Sequence, residues 1–308
     1  MHGRIPTTTG LVLGVGGTAW AAIFVRLADE APALTIAGYR MAIAAGILGA
    51  VALGFGLLRR APLPRRADLG LLALSGLFLA AHFWSWFASL ERTSVGSSVV
   101  IVGMQPLLAA FLGFAVLRER PVRAEWLGIA VATAGVLIIG GRDFVTGGEH
   151  LVGDLLALLG GLFGAAYRTI GRMVRADIST TMYSGVVYTI AALALWTSIA
   201  GVQPETAGFE TETWLYLVLV ALVPQVIGHT AFNWALGHYR VVTIGIVSLG
   251  EPILATLIAI PVLNENPSLG VILGGPLVLA GVVVGLRGAA SGPALAVSRR
   301  PRGPTVPG

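Results

Sequence analysis

Apolar runs of one recurring length constrain this chain more than any other feature. Ten of them, at 10–26, 33–57, 69–90, 94–117, 126–141, 151–171, 180–200, 213–237, 241–263 and 269–286, are parted by short polar segments such as RRAPLPRR (59–66) and QPETAGFETET (203–213). A helix needs about 20 apolar residues to cross roughly 30 Å of hydrocarbon. Lipid offers the backbone no partners, so a lone crossing segment must be helical. Charged residues make up 11% of the 308-residue chain, against roughly a quarter in soluble domains. The expectation is an all-α integral membrane protein with ten transmembrane helices. The first run follows Arg4 as a signal peptide would, but its length and the nine runs behind it make it the first helix.

Charge placement predicts the topology. Cytoplasmic loops retain basic residues. With the N-terminus inside, the inward segments hold Arg4, Arg59, Arg60, Arg65, Arg66, Arg118, Arg120, Arg123, Arg172, Arg175, Arg240, Arg287, Arg299, Arg300 and Arg302. The outward segments hold Arg92 and Arg142, so both termini are expected in the cytoplasm. A repeat gives the same answer. VLRERPVRAEWLG (116–128) and VLNENPSLGVILG (262–274) share Val, Leu, Glu, Pro, Leu and Gly at a constant offset of 146 residues. Arg118, Arg120 and Arg123 of the first copy face Asn264, Asn266 and Leu269 of the second. Two five-helix units, 10–141 and 151–286, threaded in opposite senses would put the first loop inside and its counterpart outside. The arginines would then be lost for that reason. Inverted repeats of this kind are a sequence signature of secondary transporters. A short N-terminal segment (1–9) and a basic tail (287–308) flank the units; the tail is expected to be disordered and held near anionic lipid.

Absences remove other chemistries. All twenty basic residues are arginine, so neither a P-loop lysine nor a Schiff-base lysine exists. With no cysteine there is no thiolate nucleophile, disulfide or Cys-ligated metal. The basic residues sit in short loops and the tail, which argues against nucleic acid. GVGGTA (14–19) matches a dinucleotide pattern but lies inside an apolar run. It is read instead as small residues permitting close helix approach, as are the G-x-x-x-G pairs at 160/164, 270/274 and 281/285.

GDLLALLGGLFGAAYRTIGR (153–172), the Tyr39–Arg40 pair, Gln105–Pro106, Glu251–Pro252, and the L-x-E pairs at 117–119 and 263–265 together resemble EamA-type members of the drug/metabolite transporter superfamily. The resemblance spans about 10–286. It implies a bacterial inner-membrane exporter of amino acids or other small metabolites, with the cavity between the repeats used in alternating access.

Ionisable groups within a span are costly and mark function by default. Glu251 and Gln105 fall near the middle of the ninth and fourth runs at equivalent repeat positions, followed by Pro252 and Pro106. Each proline removes a backbone donor and disturbs the helix one turn earlier. Either these breaks expose carbonyls to substrate, or they are packing kinks with Glu251 bonded to a neighbour. Glu251 would suit a proton-coupled step. Arg40 either pairs with Glu251, receives a substrate carboxylate, or ties helices together. His82 and His229 lie one residue out of the 146 register and read as substrate or proton contacts or as packing histidines. No acid or cysteine stands near them at ligand spacing, so neither metal nor cofactor is expected. Trp20, Trp86, Tyr167 and Trp234 are assigned to an aromatic cavity wall. Trp84 points away from Trp86, and Trp126 and Trp214 are assigned to interfacial belts. Arg168 is assigned to the cytoplasmic interface. The resulting expectation is a secondary exporter of small metabolites, with an uptake carrier or uncoupled facilitator as alternatives. An integral-membrane enzyme is disfavoured because acids are nearly absent from the spans.

Overall fold

The computed structural model describes residues 8–57, 64–92, 98, 101–140, 149–263 and 269–291, and these contain helices and connections but no strand. Arg4, Arg59, Arg60, Arg142, the start of the fourth run, the 264–268 counterpart of the arginine loop and the tail from 292 lie outside the described residues. In the first half, α1 is Thr8–Thr18, α2 Ala21–Leu27, α3 Ala33–Leu57, α4 Arg66–Leu90, α5 Gln105–Leu117 and α6 Arg123–Gly140. In the second half, α7 is Glu149–Val174, α8 Thr180–Val202 and α9 Thr211–Val220, which continues into a π-helix, Ala221–His229. Then follow α10 Thr230–Ala235, α11 Val241–Ser248, α12 Glu251–Leu263 and α13 Leu269–Ser291.

Seven helices reach the length and apolarity of a membrane crossing: Thr8–Leu27, Ala33–Leu57, Arg66–Leu90, Leu151–Val174, Thr180–Val202, Thr211–Ala235 and Val241–Leu263. They fall at seven of the ten expected places. The fourth, fifth and tenth runs correspond to α5, α6 and α13, helices of 13, 18 and 23 residues.

The most extensive helix pairings join one half to the other. They are α6 with α13, α4 with α7, α3 with α8, α4 with α8, α5 with α7, α1 with the π-helix, and α5 with α11. Small residues make these approaches possible. A side chain at Gly128 would come within 2.7 Å of the Gly285 Cα, and one at Gly17 within 2.7 Å of the Gly228 Cα. The GVGGTA stretch therefore packs helix against helix, as its composition suggested.

A polar network runs through the apolar core of α3, α4, α7 and α8. Tyr167 OH donates to Asn233 Oδ1, whose Nδ2 donates to Ser184 Oγ at 3.0 Å and Tyr188 OH at 3.2 Å. Ser75 and Tyr183 share a 2.7 Å bond. Buried hydroxyls and amides need such partners, and the partners fix rotamers across helices.

Ion pairs tie one end of the bundle. Arg172 Nε donates to Glu119 Oε1 at 3.1 Å, and Arg240 pairs with the buried Glu125. Arg175 donates to Asn233 O at 2.8 Å; burial lowers its guanidinium to about 10, which leaves it charged at neutral pH. Arg118, Arg120 and Arg123 are exposed. The other end is tied by hydrogen bonds. Glu30 Oε2 accepts from Glu210 N at 3.0 Å and Thr213 Oγ1 at 2.9 Å, and Tyr39 OH donates to Thr206 O at 2.9 Å.

Candidate functional site

Four of the long apolar runs are interrupted, and the interruptions meet. α1 gives way to α2 through a turn in which Trp20 N bonds Gly17 O at 3.3 Å. α5 starts at Gln105 after a turn at Gly103–Met104, and α11 and α12 are parted by a turn at Leu249–Gly250. The run through α9 widens into the π-helix, which carries Pro224. A cavity of about 120 Å³ lies among these four places.

At the prolines the runs break rather than bend. Pro106 and Pro252 are the second residues of α5 and α12. There a missing N–H costs nothing, because the first turn of a helix has no acceptor for it. They begin new helices and leave Gln105 and Glu251 at helix starts facing the cavity.

Of the residues singled out from sequence, Glu251, Gln105, Arg40, His82, His229 and Trp86 line this cavity, with Pro106 and Pro252. Arg40 is fully buried; its Nε donates to Gln225 Oε1 at 2.8 Å, and its guanidinium lies 4.2 Å from the Phe83 ring centroid. Its hydrogen bond thus goes to Gln225 rather than to Glu251. Arg40 Nη1 has no partner, and neither has Glu251 Oε1. The Thr18 hydroxyl, also on the cavity wall, donates to Gly14 O of its own helix at 2.8 Å. His82 Nδ1 donates to Gly160 O at 2.7 Å, and its ring stacks on Trp86 at 5.9 Å. His229 meets the Phe83 ring edge-on at 5.4 Å. Gly164 makes room for both polar groups opposite it: a Cβ there would come within 2.9 Å of His82 Nδ1 and crowd the Gln105 amide.

Three assigned wall residues stand elsewhere. Tyr167 is buried with its hydroxyl committed to Asn233. Trp20 stacks on Phe24 at 5.4 Å, and Trp234 packs against His238 at 4.2 Å. Trp84 is 48% exposed on the face away from Trp86. Trp214 holds Tyr39 edge-on at 5.1 Å.

Arg168 is the main correction. Rather than reaching an interface, it is buried on the cavity wall, donating to Ser248 Oγ at 3.2 Å with its guanidinium 5.3 Å from the Phe232 centroid. The signal was present in the spacing. Gly160, Gly164, Arg168 and Arg172 recur every four residues and so form one stripe of α7, the stripe that faces the interior. Gln225, which holds Arg40, was also missed; only the π-helix turns it inward.

A family model described as the EamA-like transporter family matches residues 8–141 and again 151–287. The chain belongs to the EamA-like transporter family. The resemblance to the drug/metabolite transporter superfamily is thereby upheld, and the protein is a membrane transporter rather than an enzyme. This EamA-like chain is 26% identical over 258 residues to a probable terminal-alkyne amino-acid exporter of Streptantibioticus cattleyicolor, covering 82% of this chain and 80% of that one. It is 28% identical over 280 residues to the uncharacterized inner membrane transporter YedA of Escherichia coli, covering 87% and 77%. A protein known from a crystal structure shares the fold with a TM-score of 0.76 at 20% identity, over 92% of this chain and 98% of that one.

Proposed function

We propose that the protein is a secondary transporter of the bacterial inner membrane that exports amino acids or closely related metabolites by alternating access. One observation carries the substrate class: a donor, Arg40 Nη1, and an acceptor, Glu251 Oε1, are both buried without partners among residues of one cavity. Buried polar atoms are almost always paired, so a vacancy of each sign is an invitation to a ligand that carries both. An α-carboxylate would meet Arg40 and an α-ammonium Glu251. Gln105, His82, His229 and Trp86 would shape the remaining wall. The Streptantibioticus relative, a probable amino-acid exporter, and the Escherichia relative, an inner membrane transporter, support export of an amino acid and an inner-membrane location.

The transport cycle we envisage uses two five-helix units, 10–141 and 151–286, crossing ten times in opposite senses with both termini cytoplasmic. The helix pairing supports it. Numbering the expected spans one to ten, pairs 2–7, 4–9 and 5–10 map onto themselves when the halves are exchanged, and pair 1–8 maps onto 6–3. That is the pattern of a two-fold relation. The loss of arginines from the second copy of the repeat supports opposite threading.

Purified protein in vesicles, loaded with radiolabelled amino acids, tests the proposal. Saturable counterflow is expected, with Arg40→Gln and Glu251→Gln each reducing it. An imposed pH gradient should change net flux if Glu251 carries the proton. Flux indifferent to the gradient removes coupling through that residue, and absence of counterflow for every amino acid rejects the substrate class.

A further inference from the structure

The cavity is out of charge balance. Arg40 and Arg168 both line it, and Glu251 is the one acidic residue among its described lining. Each guanidinium is held by neutral partners: Gln225 and the Phe83 ring for Arg40, Ser248 and the Phe232 ring for Arg168. None of these supplies a negative charge. His82 and His229, the remaining titratable side chains on the wall, supply none either. A proton on either histidine or on Glu251 only enlarges the positive excess. The tyrosines nearest Arg40 and Arg168 are engaged elsewhere, Tyr167 with Asn233 and Tyr188 with Thr230. Glu119 and Glu125 are bound to Arg172 and Arg240 at the end of the bundle.

The hydrogen-bond inventory leans the same way. Among the lining residues, Arg40 Nη1 and Trp86 Nε1 are buried donors without partners, against one such acceptor, Glu251 Oε1. Such a wall favours a ligand with more acceptors than donors. A buried cation without a counter-charge is strongly unfavourable. A zwitterion, neutral overall, leaves the excess in place; a ligand with one net negative charge removes it.

We propose that the substrate is an acidic amino acid, an α-amino acid bearing a second carboxylate, and that Arg168 sets this preference by receiving the side-chain carboxylate. The proposal rests on the amino-acid site described above, with Arg40 and Glu251 taking the α-groups. Arg168 is then a specificity-determining residue rather than a structural one. Its planar fork suits a carboxylate, and the ring of Phe232 beneath it keeps the guanidinium in place.

Counterflow in vesicles of the wild-type protein, with L-glutamate, L-aspartate, L-leucine and L-lysine as probes, reads the preference directly and needs no variant. Glutamate or aspartate is expected to exceed leucine by about tenfold or more, the factor that about 1.4 kcal/mol of discrimination yields. Lysine is expected to be poorest. Arg168→Gln should lower the glutamate-to-leucine ratio by about tenfold, and Arg168→Lys, which keeps the charge, should retain most of it. A wild type that favours leucine overturns the proposal while leaving the amino-acid site standing. So does an Arg168→Gln protein whose ratio is unchanged. Failure of all four probes instead brings down the amino-acid site and, with it, the charge preference. Should Arg168→Gln fail to fold, the wild-type ranking decides.

Discussion

A guanidinium inside a hydrocarbon span is tolerated when its donors and its flat faces are both occupied, and Arg40 meets most of that demand. Gln225 takes Nε at 2.8 Å and Phe83 covers one face at 4.2 Å, while Nη1 is left for a ligand. Arg40→Gln should therefore weaken substrate binding by the worth of a charged hydrogen bond, about 1.5–3 kcal/mol, or about 10- to 150-fold. Arg40→Lys keeps the charge but loses the planar fork, and should recover only part of the affinity. The half-saturation concentration in counterflow measures both; equal affinity in Arg40→Gln and wild type would exclude Arg40 from the site. Gly164 makes a second test. Its opposite wall is His82 and Gln105, so Gly164→Val should displace both and reduce transport even where the fold survives. A melting curve unchanged alongside normal flux would contradict that.

At the scale of elements, discontinuity positions the chemistry. A continuous helix bonds its backbone internally and presents only side chains, whereas a helix start leaves unpaired N–H groups and aims its first residues outward. The turns before α2, α5 and α12 and the π-helix all open on one cavity. α1 reaches it by resting on the π-helix backbone at Gly17 and Gly228. Backbone cannot yield as a flexible side chain does, so Gly17→Val should cost about 1–3 kcal/mol through overpacking. At about 2–4 °C per kcal/mol the thermal midpoint should fall by several degrees. Gly16→Ala, one residue away with open space around it, should show no such fall. Equal midpoints for the two variants would show that the close approach contributes nothing. The π-helix itself left little trace in the sequence. Pro224 marks a disturbance there, but the extra residue per turn that swings Gln225 toward Arg40 depends on what packs against it.

At the scale of the whole molecule, nearly every large helix contact spans the two halves, so the halves do not fold as side-by-side bodies. Moving one against the other changes the ends of the bundle, where Glu119–Arg172 and Glu125–Arg240 join the halves on one side and Glu30, Thr35 and Tyr39 join them on the other. The absence of cysteine makes the proposed threading easy to read, because a single introduced thiol reports alone. In intact cells, Arg120→Cys should react with a membrane-impermeant reagent only after the membrane is opened, while Asn264→Cys should react from outside. Labelling of both from the same side would end the inverted arrangement.

The sequence by itself determined that this chain is a helical membrane protein of the EamA type, and it drew attention to Arg40, Gln105 and Glu251 as polar groups inside apolar runs. Hydropathy and charge are properties of neighbouring residues along the chain, and the bilayer acts on them segment by segment. Which way a side chain faces was decided by tertiary structure. Arg168 turns into the cavity while Tyr167 beside it turns to Asn233, and Arg40 finds Gln225 a full 185 residues away. Inside lipid an all-round apolar helix has no solvent side to fix its rotation, so only the helices packed against it choose the face that becomes the site.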